Sequence, residues 1–234
     1  MQEIFPPLLI KKPSGPTSFD IIHKIRKITK IKKIGHTGTL DPLASGLLIV
    51  LIGKATKKQA EFQNLDKEYI VEITFGSTTD TYDSQGKVTN QIENEKLLNL
   101  TEEKIKETLL TFQGKQDQTV PPFSAVKVNG RRLYKQARRE KIDPKTLPKR
   151  TITVFEIELL SFQKGNLKKP PVAKIQIHCS KGTYIRSLAH DLGQKLEMGA
   201  HISGLTRTKI GRYKLENAIT IEKLQQHWKK ELSK

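Results

Sequence analysis

Six aliphatic residues in succession, Leu47 to Ile52, closed by Gly53, form the longest aliphatic run in the chain. A run this short cannot cross a bilayer, which takes ~18 or more residues. It reads as a buried strand, and the rest of the fold has to be arranged around it. The chain has 234 residues, enough for one large domain or two small ones and for a core without staples. A single cysteine, Cys179, excludes an intrachain disulfide and a Cys-based zinc site. The start, Met1-Gln-Glu-Ile-Phe-Pro-Pro, carries an acid and two prolines and does not resemble a signal peptide. A soluble cytoplasmic protein is expected.

The periodicity around that run changes repeatedly. Thr17 to Thr29 reads as a helix, with Thr17 and Asp20 as a capping-box pair and Ile21, Ile25 and Ile28 at helical spacing. Lys67 to Phe75 and Thr151 to Leu160 are β-branched and aromatic. Ala173, Ile175, Ile177 and Cys179 alternate with polar residues, as in a strand with one wet face. Thr101 to Phe112 reads as a helix, Thr183 to Met198 as another with Ile185, Leu188, Leu192 and Leu196 inward, and Thr220 to Leu232 as a capped closing helix. Strands and helices are interspersed without a regular βαβ beat, which predicts an α+β fold with a mixed or antiparallel sheet. With no repeat and no low-complexity linker, a single domain over residues 1–234 is the simplest organisation.

Charge is segregated. The net charge is +18, from 42 Lys and Arg against 24 Asp and Glu. Residues 1–60 carry +8, residues 61–120 carry −6, residues 121–180 carry +10 and residues 181–234 carry +6. Such asymmetry points to a polyanionic partner, of which nucleic acid is the commonest. A lysine-rich proteome would also raise the pI. It explains Lys27 to Lys33 better than the Arg-containing run from Arg131 to Arg150.

The densest local signal is Gly35-His-Thr-Gly-Thr-Leu-Asp-Pro-Leu-Ala-Ser-Gly46. Three glycines in twelve residues suggest an irregular backbone able to approach a ligand closely. Asp41-Pro42 also suits an N-cap followed by the first helical residue, and His36 alone suits a hydrogen-bonded turn. No Walker loop and no zinc signature is present.

This segment resembles the catalytic motif of the TruB family of tRNA pseudouridine synthases, with Ser45 where the family usually has Thr. Lys11-Lys-Pro-Ser-Gly-Pro-Thr-Ser18 resembles the family's N-terminal motif. Asp66-Lys-Glu-Tyr69 and His178-Cys-Ser-Lys-Gly-Thr-Tyr-Ile-Arg186 resemble its tyrosine-bearing segments, and Tyr82 to Gly86 and Pro122 to Tyr134 also agree. The likeness runs from about Lys11 to Trp228.

The resemblance implies a pseudouridine-synthase fold and isomerisation of uridine-55 in the T-loop of tRNA, with no cofactor or metal. Asp41 would be the nucleophile, at the sugar C1′ or the base C6, with Arg186 as the carboxylate's partner. The target base has to be flipped out of its stack. His36 would fill the space it leaves, Tyr69 would stack on it, Tyr184 would line the pocket, and the main chain of Leu205 would touch the uracil edge. Lys12 is expected among the substrate-binding residues. Arg131, Lys135, Arg138 and Arg139 are expected on phosphates, in a thumb-like insertion at about 123–150. Arg131, Lys135 and Arg138 would form one stripe if residues 131–140 are helical. A monomer without the family's C-terminal PUA module is expected.

Without the resemblance, Arg186 reads as a helix-start salt bridge, the tyrosines and Leu205 as packing residues, and the basic segment as a solvated face. Two other functions stay open: modification of another uridine-containing stem-loop, and a non-catalytic RNA-binding or tRNA-folding protein. Asp41 and Arg186 together speak against the latter.

Overall fold

The computed structural model describes residues 6–128, 130–140 and 142–232, with only the backbone at 229–232. Met1 to Phe5, in the segment read for a leader, lie outside the described residues, as do Asn129 and Lys141 of the basic segment and the side chain of Leu232. In chain order the elements are β1 (Leu8–Lys12), α1 (Ser18–Thr29), β2 (Ile34–His36), β3 (Ser45–Ile52), α2 (Gln59–Gln63), β4 (Lys67–Phe75), β5 (Ser77–Thr79), β6 (Val88–Gln91), α3 (Asn94–Leu97) and α4 (Glu102–Leu110). There follow β7 (Gly114–Thr119), β8 (Lys127–Val128), β9 (Arg131–Arg132), α5 (Leu133–Ala137), β10 (Lys149–Gln163), β11 (Val172–Cys179), α6 (Ile185–Lys195), β12 (Ala200–Ile210), β13 (Tyr213–Lys214) and α7 (Ile221–Leu232). Two compact units result, residues 1–69 with 205–234, and residues 70–204. The chain passes between them inside two strands, β4 and β12.

The first unit is built on β3. β1 pairs with it antiparallel, Leu8 opposite Val50 and Lys12 opposite Gly46. β2 pairs antiparallel with its far end, and β12 pairs parallel with its start, Arg207 opposite Gly46. Alternate β3 residues enter two cores. Leu48, Val50 and Ile52 meet Ile21, Ile22 and Ile25 of α1 and Leu224 of α7, while Leu47, Ile49 and Leu51 meet Ala55 and Ile210. Burial on both faces is why the strand is apolar throughout rather than alternating. Helix α1 starts where its capping box predicts. Thr17 Oγ1 accepts from the Asp20 N–H and the Asp20 carboxylate accepts from the Thr17 N–H. Burying its isoleucines stabilises the helix on the sheet by about 1.5–3 kcal/mol each.

The second unit holds the strand order β4–β11–β10–β7. β10 pairs antiparallel with β7 through its first residues and with β11 through the rest, with two bulges. β11 shows the expected alternation: Ala173, Ile175, Ile177 and Cys179 are buried. α4 packs against β10, and α6 packs against α4 and β7. β3 and β12 pair parallel while β1–β3, β2–β3, β10–β11 and β10–β7 pair antiparallel, so the fold is the expected α+β with a mixed sheet.

Two local expectations are corrected. Residues 131–140 are not one helix: Arg131 and Arg132 form a hairpin strand with β8, and α5 spans only five residues. Arg131 lies in a strand and Leu133, at the start of α5, is buried, so Arg131, Lys135 and Arg138 form no continuous helical stripe. Asp41-Pro42 starts no helix either. The Ala44 N–H donates to the Asp41 carbonyl in a turn, and β3 begins at Ser45.

Candidate active site

In the first unit, residues 37–44 link β2 to β3 and carry Asp41, half-buried. A loop that lacks its own ladder must satisfy its backbone elsewhere, and here the N-terminal motif does so residue by residue. The Lys12 ammonium, fully buried, donates to the carbonyls of Ala44 at 2.6 Å, Pro13 at 3.0 Å and Pro42 at 3.5 Å. Ser14 Oγ donates to the Leu43 carbonyl at 2.9 Å, and the Gly15 N–H donates to that of Pro42 at 2.8 Å. Ser18 Oγ accepts from the Leu40 N–H at 2.8 Å and donates to the Leu40 carbonyl at 3.0 Å. The turn on both sides of Asp41 is thus pinned by β1 and the start of α1.

Arg207, on β12, completes the frame and was not singled out from sequence. Its fully buried guanidinium donates through Nε to the Leu47 carbonyl at 2.8 Å and through Nη2 to the Gly38 carbonyl at 3.0 Å. Of the three glycines in the segment, only Gly46 has positive φ, at +109°. A Cβ there would meet the Arg207 backbone at 2.3 Å. That glycine is required by the close approach of two strands, not of a ligand.

Burial pushes the Lys12 ammonium down to about 8, with the Asp41 charge pulling it back up and Arg207 pushing it further down. His36, half-buried, accepts from Gln59 Nε2 through its main-chain oxygen at 3.0 Å. Among the described residues its Nδ1 is buried without a hydrogen-bond partner. Burial, and secondarily Arg207, lowers its pKa, so the ring is neutral near pH 7. Tyr69 and Leu205 are buried, and the Leu205 carbonyl accepts from Ser45 Oγ at 3.4 Å. Ser45 Oγ also shares a 2.9 Å hydrogen bond with Thr206 Oγ1. The hydroxyl is what these contacts use, and Ser45 retains it.

In the second unit, Tyr184 precedes α6 and is held by buried Gln118. The Gln118 amide donates to the Tyr184 carbonyl at 2.9 Å and accepts from its N–H at 2.8 Å. The Tyr184 ring packs against the cluster of Val120, Leu133 and Leu147 and lies 5.9 Å from the Arg150 guanidinium. Arg186, 5% exposed, sits in the first turn of α6, where the helix dipole disfavours a cation. It donates to the carbonyls of Thr81 at 2.8 Å and Phe123 at 3.0 Å. Asp83, buried, accepts from Thr81 Oγ1 at 2.6 Å and the Gln85 N–H at 3.0 Å, fixing the turn that presents the Thr81 carbonyl.

Arg131, Lys135, Arg138 and Arg139 are all exposed, and Arg138 lies 5.6 Å from the Tyr134 ring centre. The structure therefore gathers His36, Lys12 and Leu205 around the Asp41 turn in one unit. In the other it gathers Tyr184 and Arg186 at the start of α6, while the four cations stand on a separate surface segment. Arg207 and Gln118 escape sequence reading because their partners are distant in the chain. Among the described residues no group of three or more His, Cys, Asp or Glu is placed to hold a metal ion.

Residues 26–185 match the family model described as TruB family pseudouridylate synthase (N terminal domain). Residues 186–234 match that of the tRNA pseudouridylate synthase B C-terminal domain. The chain is 44% identical over 216 residues to a tRNA pseudouridine synthase B of Clostridioides difficile (strain 630), covering 92% of this chain and 69% of that protein. It is 44% identical to one of Aquifex aeolicus (strain VF5), covering 92% and 71%. Among solved structures it resembles a chain of a Cbf5-Nop10-Gar1 complex, with a TM-score of 0.72 and 30% identity over 96% of this chain. It spans 56%, a little over half, of that chain's length.

Proposed function

Because the chain belongs to the TruB family of pseudouridylate synthases, we propose that it isomerises uridine-55 in the T-loop of tRNA to pseudouridine. The bond from C1′ to N1 breaks, a bond from C1′ to C5 forms, the hydrogen on C5 leaves as a proton, and N1 takes up a proton, so that product and substrate are isomers. No electrons are gained or lost. Asp41 is the nucleophile, at C1′ or C6. The observation that carries this reading is the frame around it: Lys12, Ser14, Gly15, Ser18 and Arg207 bind the backbone of its loop on both sides. A carboxylate on so constrained a turn is placed before substrate arrives, and pre-positioning is a large part of catalysis.

The remaining assignments follow the family resemblance. Arg186 is the partner of the carboxylate, its planar fork fixed beforehand by two carbonyls. Neutral His36 enters the space vacated by the flipped base, where a bare charge would be costly. Tyr69 stacks on the flipped ring, Tyr184 lines its pocket, and the Leu205 main chain meets the uracil edge. Lys12 serves the substrate through the loop it holds. Arg131, Lys135, Arg138 and Arg139 contact phosphates, which position RNA without reading bases. We read residues 1–234 as one catalytic domain acting as a monomer in the cytoplasm. In support, both unit boundaries fall inside strands, and no helix among the described residues is long and apolar enough to cross a membrane.

The test is tritium release from tRNA carrying 5-tritiated uridine, since the C5 hydrogen must leave. Wild-type protein should release it from position 55. Asp41→Asn should bind the tRNA and release none, because an amide is not a usable nucleophile. Release by that variant within about tenfold of wild type would remove Asp41 from the mechanism.

A further inference from the structure

The exposed side of α1 carries an arrangement that the reaction as described does not use. Ile21, Ile22 and Ile25 of this helix are buried, yet Phe19 in its first turn is 60% exposed. The Phe19 ring stands edge-on to His36, with centroids 6.3 Å apart and planes at 89°. On its other side it tilts against His23, with centroids 5.9 Å apart. Phe19, His23 and Lys27 recur at i, i+4 and i+8, so they share one face of the helix, and all three are exposed. Lys24 and Lys30 flank them, and the helix's one acid, Asp20, is engaged with Thr17. Three aromatic rings therefore run in contact from a half-buried histidine to open solvent, with cations beyond. Aromatic faces beside a positively charged track are how proteins hold unstacked bases, because every base offers a π-face.

We infer that Phe19 and His23 form a second nucleobase site. It holds an unpaired base of the substrate loop next to the position His36 occupies, with Lys27 on the adjoining phosphate. The inference rests on the proposed reading of His36 as an RNA-facing residue. Charge favours RNA over a protein partner here: α1 and its C-cap carry Lys24, Arg26, Lys27 and Lys30 against Asp20.

The test measures binding of a T-arm hairpin to the full chain, with each loop nucleotide in turn made abasic. Phe19→Ala should weaken binding of the intact hairpin about tenfold. Phe19→Trp should bind like wild type, while Phe19→Leu, which keeps apolar bulk but no ring, should behave like Phe19→Ala. At one loop position other than the target uridine, the abasic substitution should cost wild type the same factor and cost Phe19→Ala nothing more. A 2-aminopurine at that position should be quenched by wild type and not by Phe19→Leu, a readout that a general loss of stability would not mimic. Phe19→Leu binding like wild type, or no position whose loss Phe19→Ala absorbs, overturns the inference. The same hairpin assayed for tritium release separates the two readings. Conversion by wild type with no Phe19-dependent base refutes the second site alone, whereas absence of conversion refutes the proposed function with it.

Discussion

Gly46 lies so close to Arg207 that a Cβ on the glycine would come within 2.3 Å of the Arg207 carbonyl oxygen. The two residues face each other where β3 and β12 run parallel. The same arginine sends its guanidinium to Gly38 and Leu47, on either side of the Asp41 turn. Backbone contact and side-chain contact thus serve one purpose, fixing the loop that presents the carboxylate.

Gly46→Ala should therefore be among the most damaging small substitutions in the chain. The added methyl meets backbone, which cannot swing aside, and φ of +109° is strained for any residue with a Cβ. A loss of at least about 2 kcal/mol in urea unfolding is expected, together with loss of tritium release. Wild-type stability in this variant would show that the two strands separate freely.

Lys12 should set an alkaline limit on activity. Burial lowers its ammonium to about 8. As pH rises through that value the carbonyls of Pro42 and Ala44 lose a charged donor. kcat/KM should fall above about pH 8, and Lys12→Met should be at least about tenfold slower and lack that limb. Stability moves the other way. The folded value lies below the ordinary 10.5, so between these values the unfolded chain binds the proton that native Lys12 releases. The contribution of this group to stability therefore rises with pH across that window. A pH–rate profile of wild type that stays flat to pH 10 would refute the role.

Asp191, on α6, has its carboxyl pushed up from 3.8 to about 6 by burial, with Lys195 drawing it partly back. Between those values the native state keeps a proton that the unfolded chain has released, so the contribution of this group to stability falls as pH rises. Asp191→Asn removes the ionisation. Its unfolding midpoint should gain on wild type from about pH 4 to 6 and keep a constant lead above. Equal differences at pH 4 and pH 7 would mean that Asp191 ionises without cost.

The basic segment should act through charge alone. Replacing Arg131, Lys135, Arg138 and Arg139 by Gln should weaken tRNA binding alike for all sequences. It should also flatten the slope of log affinity against log salt by roughly 0.7–0.9 per lost phosphate contact. Single-turnover conversion at saturating enzyme should barely change. A helical stripe is not needed for this, since all four side chains are exposed on the hairpin, the short helix and the turn that follows it. An unchanged salt slope would refute the phosphate contacts.

Local pattern sufficed wherever the physics is local. The capping box of Thr17 and Asp20, the span of β4, the alternation along β11 and the apolar run of β3 depend on neighbours in sequence, and each element formed where its residues indicated. The motif around Asp41 was legible for the same reason, as one contiguous string. What holds that motif was not. Lys12 reaches carbonyls some thirty positions away, Gln118 holds Tyr184 across 66, and Arg207 reaches Gly38 across 169. No periodicity records such partners. Along β12 an arginine bonded to two distant carbonyls has the same signature as one in solvent, and a glycine required by a facing strand has the same signature as one in a turn. Residues 131–140 failed in the opposite sense. Their helical spacing was real, but the burial of Leu133 and the pairing of Arg131 and Arg132 with β8 prevailed over it, because tertiary packing outweighs the few tenths of a kcal/mol per residue that separate local preferences. The chain's local chemistry marked where α1, β3, β4 and β11 form and which side chains are candidates to react. Only the tertiary structure decided what holds them still, since that depends on residues brought together by folding across distances the sequence does not display.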